Sequence, residues 1–341
     1  MCYGLFLQGN FAIKQVPANR WEQQNQGKRG KQLYYNQNTE YIVNMRLTFL
    51  FVFLIGFCPN TSFTQNQANI WYFPVFGGLD YNSGKPKVIP SNVMGIGSAV
   101  MSDTLGNLLF YSGGRYINNK NLVPMKNGDS LIGDDPLSTQ RVLIVQQPES
   151  DHLYYVFFVG RGPFTNTSLF GLWYNVVDMD GDNGLGEVIV KNVFIDAAWD
   201  AEEKLFAVKH ANGKDVWIIT RKTKDNKFAA FLLSKNGLNT TPVLSDGTFL
   251  SNVQDTRGYL KISYDKKYIF AAYQALAPHF VEIGKFNNTT GEINILYYLT
   301  KVNAQGLNVH PFGIEFSPDS KLVYIAFQPV DYKVEIYQYD M

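Results

Sequence analysis

Three carboxylates stand at alternate positions in Asp178-Met-Asp-Gly-Asp-Asn-Gly184. Hard oxygen ligands at that spacing can wrap a calcium ion. The helix–loop–helix calcium pattern fails, however. Counted from Asp178, the sixth position is Asn183 where that pattern needs Gly, and the twelfth is Ile189 where it needs Glu. The same residues read equally as a solvated hairpin loop. Whether the Asp178-Asp180-Asp182 loop binds calcium stays open at this level, and no metal ligand is assigned.

The four histidines are His152, His210, His279 and His310. None forms an HxH or HxxxH pair, so a sequence-local metal site is absent. His152 and His210 fall in turn regions, where capping or surface roles are expected. His310 precedes a strand, as Arg257 does one repeat earlier. Both positions are candidates for the mouth of a ring-shaped fold, or for polar lining of a wet channel. The chain has no Gly-x-Ser-x-Gly elbow. The glycine-rich stretch at 181–186 lacks the Lys-Ser/Thr of a phosphate loop. No catalytic or cofactor-binding residue is assigned, and no cofactor is expected.

What would position such residues is a set of strands. The chain has 341 residues, 45% of them hydrophobic and 15% aromatic, with 21 Tyr and 25 Phe. Aromatics at this level favour strands over helices. The net charge of +1 excludes a basic nucleic-acid footprint. Two cysteines cannot build a disulfide framework.

A strand–tight turn–strand unit recurs five times, with turns starting at 103, 148, 211, 264 and 318. Ser98–Ser102 leads into Leu108–Ser112, and Val142–Val145 into Leu153–Val159. Phe206–His210 leads into Val216–Thr220, Tyr259–Ser263 into Tyr268–Ala272, and Ile314–Ser317 into Leu322–Ala326. Gly, Asn, Asp and Pro in the turns supply the backbone conformations a hairpin needs. Further strands follow most hairpins, at Val188–Val190, Pro242–Leu244 and Ile293–Leu296 among others. Four antiparallel strands per repeat of this length is the size of a β-propeller blade. The expected fold is therefore all-β, a propeller of about six or seven four-stranded blades. Trp199–Phe206 is expected to be at most a short turn of helix. Asn69–Ile89 reads as a half blade. The chain ends at Tyr339-Asp-Met341 after an outer strand, so the ring is expected to be truncated at its C-terminal end.

The first 64 residues are of another kind. Met45-Arg46 precedes an apolar run, Leu47-Thr-Phe-Leu-Phe-Val-Phe-Leu-Ile-Gly-Phe-Cys58. At ~1.5 Å per residue this is too short for a ~30 Å bilayer core. It fits a secretory signal ending near Thr64, with Ser62 and Thr64 as the small residues before the cut. The expected organisation is a mis-assigned leader over 1–44, a signal over 45–64 and a propeller over 65–341. Loss of 1–64 removes both cysteines and turns the small positive charge balance negative.

Several blocks also carry a family likeness. They are Asn69-Ile-Trp-Tyr-Phe73, Gly78-Leu-Asp-Tyr-Asn-Ser-Gly84, Ser102–Ser112, Asn175–Asp178 with Gly184–Val188, Ala207–Gly213 and Pro311–Asp319. In this order, over roughly 69–340, they resemble the N-terminal propeller of gliding-motility-associated, type IX-secreted bacterial surface proteins. The resemblance implies a propeller of about seven blades and export, often with downstream immunoglobulin-like modules and a sorting domain. It carries over no catalytic residue. The expected role is a non-catalytic binding or scaffolding module for a protein or polysaccharide at the cell surface. No nucleic acid and no membrane-spanning segment are expected. The alternatives are a propeller hydrolase of the lactonase or sugar-hydrolase kind, or a non-functional fragment of a larger surface protein.

Overall fold

The structure is a computed structural model. It describes residues 66–73, 77–93, 97–133, 139–160, 171–248, 257–274, 279–300, 309–328 and 334–341, together with the backbone of 13–16. The expected signal over 45–64 lies outside the described residues.

Among the described residues there are strands and short 3-10 turns and no α-helix. The strands form six small sheets in chain order. Sheet I holds β2 (Ile70–Phe73), β3 (Gly77–Asp80) and β4 (Lys87–Pro90), and sheet II holds β5 (Ala99–Ser102), β6 (Leu108–Ser112) and β7 (Ile117–Asn119). Sheet III is an antiparallel meander of β8 (Val142–Gln146), β9 (Leu153–Gly160), β10 (Gly171–Asp178) and β11 (Glu187–Phe194). Sheet IV holds β12 (Ala201–Lys209), β13 (Val216–Lys222), β14 (Lys227–Ser234), β15 (Gly237–Leu238) and β16 (Val243–Asp246). Sheet V holds β17 (Leu260–Ile262), β18 (Tyr268–Tyr273), β19 (Phe280–Phe286) and β20 (Ile293–Leu299). Sheet VI holds β21 (His310–Phe316), β22 (Leu322–Gln328) and β23 (Glu335–Asp340), with β1 (Ile13–Val16) on its outer edge. This is the blade succession of a β-propeller.

All five expected hairpins are present. The turns repeat one chemistry. In sheet V the Ser263 hydroxyl donates to Asp265 at 2.6 Å and accepts from the Tyr268 N–H at 3.0 Å. In sheet VI the Ser317 hydroxyl donates to Asp319 at 2.6 Å and accepts from the Leu322 N–H at 2.9 Å. The Ser320 hydroxyl, in the second turn, accepts from the Asp265 N–H in the first at 2.9 Å, tying neighbouring blades together.

Packing explains the near-continuous apolar second strands. Successive side chains of a strand point to opposite faces. Phe157 therefore joins the core between sheets III and IV, while Phe158 joins the core between II and III. Ile218 and Ile219 divide in the same way between two cores. Each fully buried Phe or Ile contributes roughly 1.5–3 kcal/mol of burial. Five apolar clusters join the six sheets pairwise from I to VI. None of them joins sheet VI to sheet I among the described residues. Trp71, Phe73 and Val88 on sheet I are exposed.

The structure corrects the sequence reading in four places. Among the described residues sheets I and II have three strands each, so sheet II lacks the fourth strand of a full blade and the expected half blade is a three-stranded meander. The inner strand expected from Phe206 already starts at Ala201, inside the Trp199–Phe206 stretch where at most a helical turn was expected; the turn is confined to Asp196–Ala198. Sheet VI carries a fourth strand, although none follows Tyr339. Ile13–Val16 pairs in parallel with Ile336–Tyr339, and it comes from the segment read as a leader. The fourth correction concerns the mouth of the propeller and is described below.

Candidate functional site at the mouth of the propeller

Apart from the parallel β1, paired strands run antiparallel, so one end carries the turns between each first and second strand and the other carries the second-to-third connections and those between sheets. The starts of β8, β12, β17 and β21 meet at the connection end, which is the mouth. From the sequence only His310 and Arg257 were candidates for that place. The structure instead places a dense set of polar groups, many fully buried.

The inner strands are stitched to one another. The Gln140 side chain donates to the Leu260 carbonyl at 3.1 Å and accepts from its N–H at 2.7 Å, so it acts as a strand partner for that residue. The Thr139 N–H and hydroxyl both donate to Glu203, at 2.8 and 3.1 Å. The Tyr259 N–H donates to the Phe312 carbonyl at 2.9 Å. The register of β12 breaks between Ala201 and Leu205, and that of β21 between Pro311 and Ile314. Such bulges re-aim side chains at sheet ends. They fall where Glu203, Lys204 and Phe312 leave the regular ladder.

Behind the stitches lies a buried ionic network. Arg221 and Glu282 both have 0% of their side chains exposed. Arg221 Nε donates to the Tyr273 hydroxyl at 3.0 Å, and that hydroxyl donates to Glu282 at 2.5 Å. Arg221 also donates to the carbonyls of Lys222 at 2.8 Å and Thr248 at 2.7 Å. The Thr248 N–H donates to the other Glu282 oxygen. Position 247 must be glycine for this, since a Cβ there would stand 2.7 Å from the guanidinium. The buried ammonium of Lys204 lies 4.1 Å from the centre of the Tyr273 ring, a cation–π contact. Lys222 pairs with Asp200 at 3.1 Å and Asp225 at 2.9 Å. Burial works against its charge, but the hydrogen bonds to Asp225 and Asp200 outweigh it and hold its pKa above the ordinary lysine value.

His310 does reach the mouth. Its ring stacks on that of His279, with centroids 3.8 Å apart. At the same end is a cavity of about 130 Å³, lined by Gln274, Phe312, Ala326, Phe327, Gln328 and Val334 and by neither histidine. Arg257 is exposed at the same end. His210 has the expected capping role, its Nδ1 accepting from the Asn212 N–H at 2.9 Å. His152 does not behave as a simple cap. It approaches Asp178 and Asp180 at the hairpin end, and Asp182 is not part of that group. Among the described residues this is the one set of three His, Cys, Asp or Glu groups within ligand reach of one another, so no such convergence occurs at the mouth.

No protein-family model matches the chain, and no curated protein does. Solved structures share its outline at low similarity. A candidate 6-phosphogluconolactonase from Bacteroides fragilis is 14% identical, with a TM-score of 0.42 over 78% of this chain and 75% of that one. The periplasmic gluconolactonase PpgL of Pseudomonas aeruginosa is 12% identical, with a TM-score of 0.30 over 66% of this chain and 78% of that one. The Cps50 (Swd1) β-propeller domain of Myceliophteria thermophila is 11% identical, with a TM-score of 0.34 over 81% and 97%. Likeness at this level carries no inference about activity. The fold assignment rests on the strand order and the stacked cores.

Proposed function

We propose that this β-propeller is a non-catalytic binding or scaffolding module, exported and presented at a bacterial cell surface. The observation that supports it is the mutual pairing of buried polar groups at the mouth, among the described residues. Arg221, Tyr273, Glu282 and Thr248 satisfy one another, as do Gln140 with Leu260 and Thr139 with Glu203. A reaction centre needs groups aimed at a substrate position, with a nucleophile or base within reach of it. Here the buried charges are aimed at each other. Recognition of a surface protein or polysaccharide then falls to the rim loops around a rigid centre. The apolar run at 47–58 supports export, and the blocks between Asn69 and Asp319 support a role related to gliding and type IX secretion. Among the described residues no helix is long and apolar enough to cross a membrane.

One observation favours a second reading. The stacked His279 and His310 at the mouth bring together two imidazoles, groups that a hydrolase of lactonase or sugar-hydrolase type could use as an acid–base pair. One experiment separates the two. Purified protein is assayed for turnover of sugar lactones and aryl glycosides, and for saturable binding to isolated surface polysaccharide and surface protein. Binding without turnover is expected. Turnover that disappears in His279→Ala and His310→Ala would overturn the binding reading.

A further inference from the structure

We propose that His152, Asp178 and Asp180 form a binding site for a divalent transition-metal ion, of the zinc or cobalt kind, at the hairpin end of sheet III. The site lies at the opposite end from the mouth and is independent of the function proposed for it.

The ligand atoms come from two separate turns. A ring nitrogen of His152 and one carboxylate oxygen each of Asp178 and Asp180 all lie within 4.8 Å of one another. Ligands about 2.1 Å from a tetrahedral metal stand about 3.4 Å apart, so small side-chain rotations bring these three onto one ion. The His152 Nδ1 to Asp180 oxygen distance is already 3.8 Å.

The backbone fixes this meeting. Leu153 and Asp178 are partners in the β9–β10 ladder, and the Met179 N–H donates to the His152 carbonyl at 2.9 Å. Ser150 anchors the histidine turn, its hydroxyl accepting from the Leu153 N–H at 3.0 Å. The Asp180 N–H donates to Asp178 Oδ1 at 2.9 Å, which folds the second turn back toward the histidine. Two hairpins thus present an imidazole and two carboxylates on one side of the sheet. His152 Nδ1 now holds an exposed carboxylate oxygen of Asp151 at 2.7 Å. In that contact Nδ1 donates to Asp151, so an ion bound there would displace the proton, and the exposed Asp151 carboxylate stays close enough to support it.

The donor set decides the metal. Calcium wants six to eight oxygens and magnesium an octahedron of oxygens, and neither favours imidazole. One imidazole with two carboxylates suits zinc, cobalt, nickel or manganese. Three protein ligands leave coordination positions for water. The ion would clip the start of β9 to the turn after β10.

The test titrates the full chain with zinc chloride by calorimetry, and with cobalt(II) by visible absorption. One ion per chain is expected. His152→Ala and Asp180→Asn should each weaken binding at least tenfold, and Asp182→Asn should leave it within about twofold. Asp180 is exposed and its side chain holds no backbone group, so Asp180→Asn keeps the test valid if the histidine variant folds poorly. Calcium should bind more weakly than zinc. The proposal is overturned if the wild-type chain takes up no zinc, if Asp180→Asn binds as tightly as wild type, or if calcium binds more tightly than zinc.

Discussion

The side chain of Gln140 makes paired hydrogen bonds with both backbone groups of Leu260, 120 residues later in the chain. Gln140 lies in the turn just before β8 of sheet III and Leu260 opens β17 of sheet V, so the contact reaches past sheet IV, which lies between them in the blade order. Leu260 is fully buried, and its N–H and C=O have no water to turn to. Replacement by alanine leaves both unpaired. Gln140→Ala is expected to destabilise the fold by about 2–4 kcal/mol, read as a lower denaturant midpoint at unchanged slope.

The ionic network behind that contact is more sensitive. Arg221→Ala leaves Glu282 buried without its cation, a loss of about 3–5 kcal/mol. Tyr273→Phe removes one hydroxyl that bridges the pair and should cost about 1–3 kcal/mol. Urea denaturation of both variants checks the order. Equal effects would mean that the hydroxyl, not the charge pair, carries the network.

Phe157 and Phe158 are adjacent in sequence and lie in different cores. Each Phe→Ala variant should lose about 3–5 kcal/mol. Because the two rings share no core, the double variant should lose close to the sum. A double variant no worse than either single one would place both rings in one cluster and contradict the stacking of sheets II, III and IV.

Stability should fall on both sides of neutrality. Burial raises the phenol of Tyr111, pushing it up to about 12, and raises those of Tyr72, Tyr154, Tyr259 and Tyr339 as well. A group raised in the folded state contributes stability that is whole below its unfolded value, about 10 for tyrosine, and is lost as pH rises toward the folded one. Unfolding should therefore steepen between about pH 10 and 12. On the acid side, the Ser317 hydroxyl holds the Asp319 carboxyl below its usual value. Stability from that turn is present above about pH 4 and lost as pH falls through the depressed value. Denaturant midpoints measured across pH would show the two limbs. A flat profile between pH 9 and 12 would mean that these tyrosines are solvated.

Removal of residues 1–64 takes away β1, whose contribution to sheet VI is a four-residue parallel pairing. The apolar clusters between sheets are built from residues 70–339. The shortened chain should fold with stability within about 0.5 kcal/mol of the whole one. A much larger loss, measured by thermal unfolding, would make Ile13–Val16 an integral strand of the propeller.

The hairpins were legible because their turns carry local chemistry, the Ser-x-Asp pairs at 263–265 and 317–319 being the clearest. Alternating faces were legible where both faces are apolar, as in β9. The mouth was not. Arg221, Lys222 and Lys204 stand at strand ends, where a linear reading places them on a solvated rim. Only the stacking of sheets shows that these ends are covered. The bulge in β12 leaves no mark in residue type, whereas that in β21 falls on Pro311-Phe-Gly313, residues that mark such a break. His152 and Asp178 are 26 residues apart, and their meeting follows from the β9–β10 register. The sequence alone left that register open, since ten residues separate Gly160 from Gly171.

The central claim is that the buried charges at the mouth hold the propeller together by engaging one another. A double-mutant cycle on Arg221 and Glu282, with Arg221→Met, Glu282→Gln and both together in urea denaturation, tests it most directly. A coupling energy of about 1–3 kcal/mol, with the double variant more stable than the sum of single losses implies, is the predicted result. Zero coupling with near-wild-type stability in each single variant would contradict it, and would leave both groups free to serve a substrate.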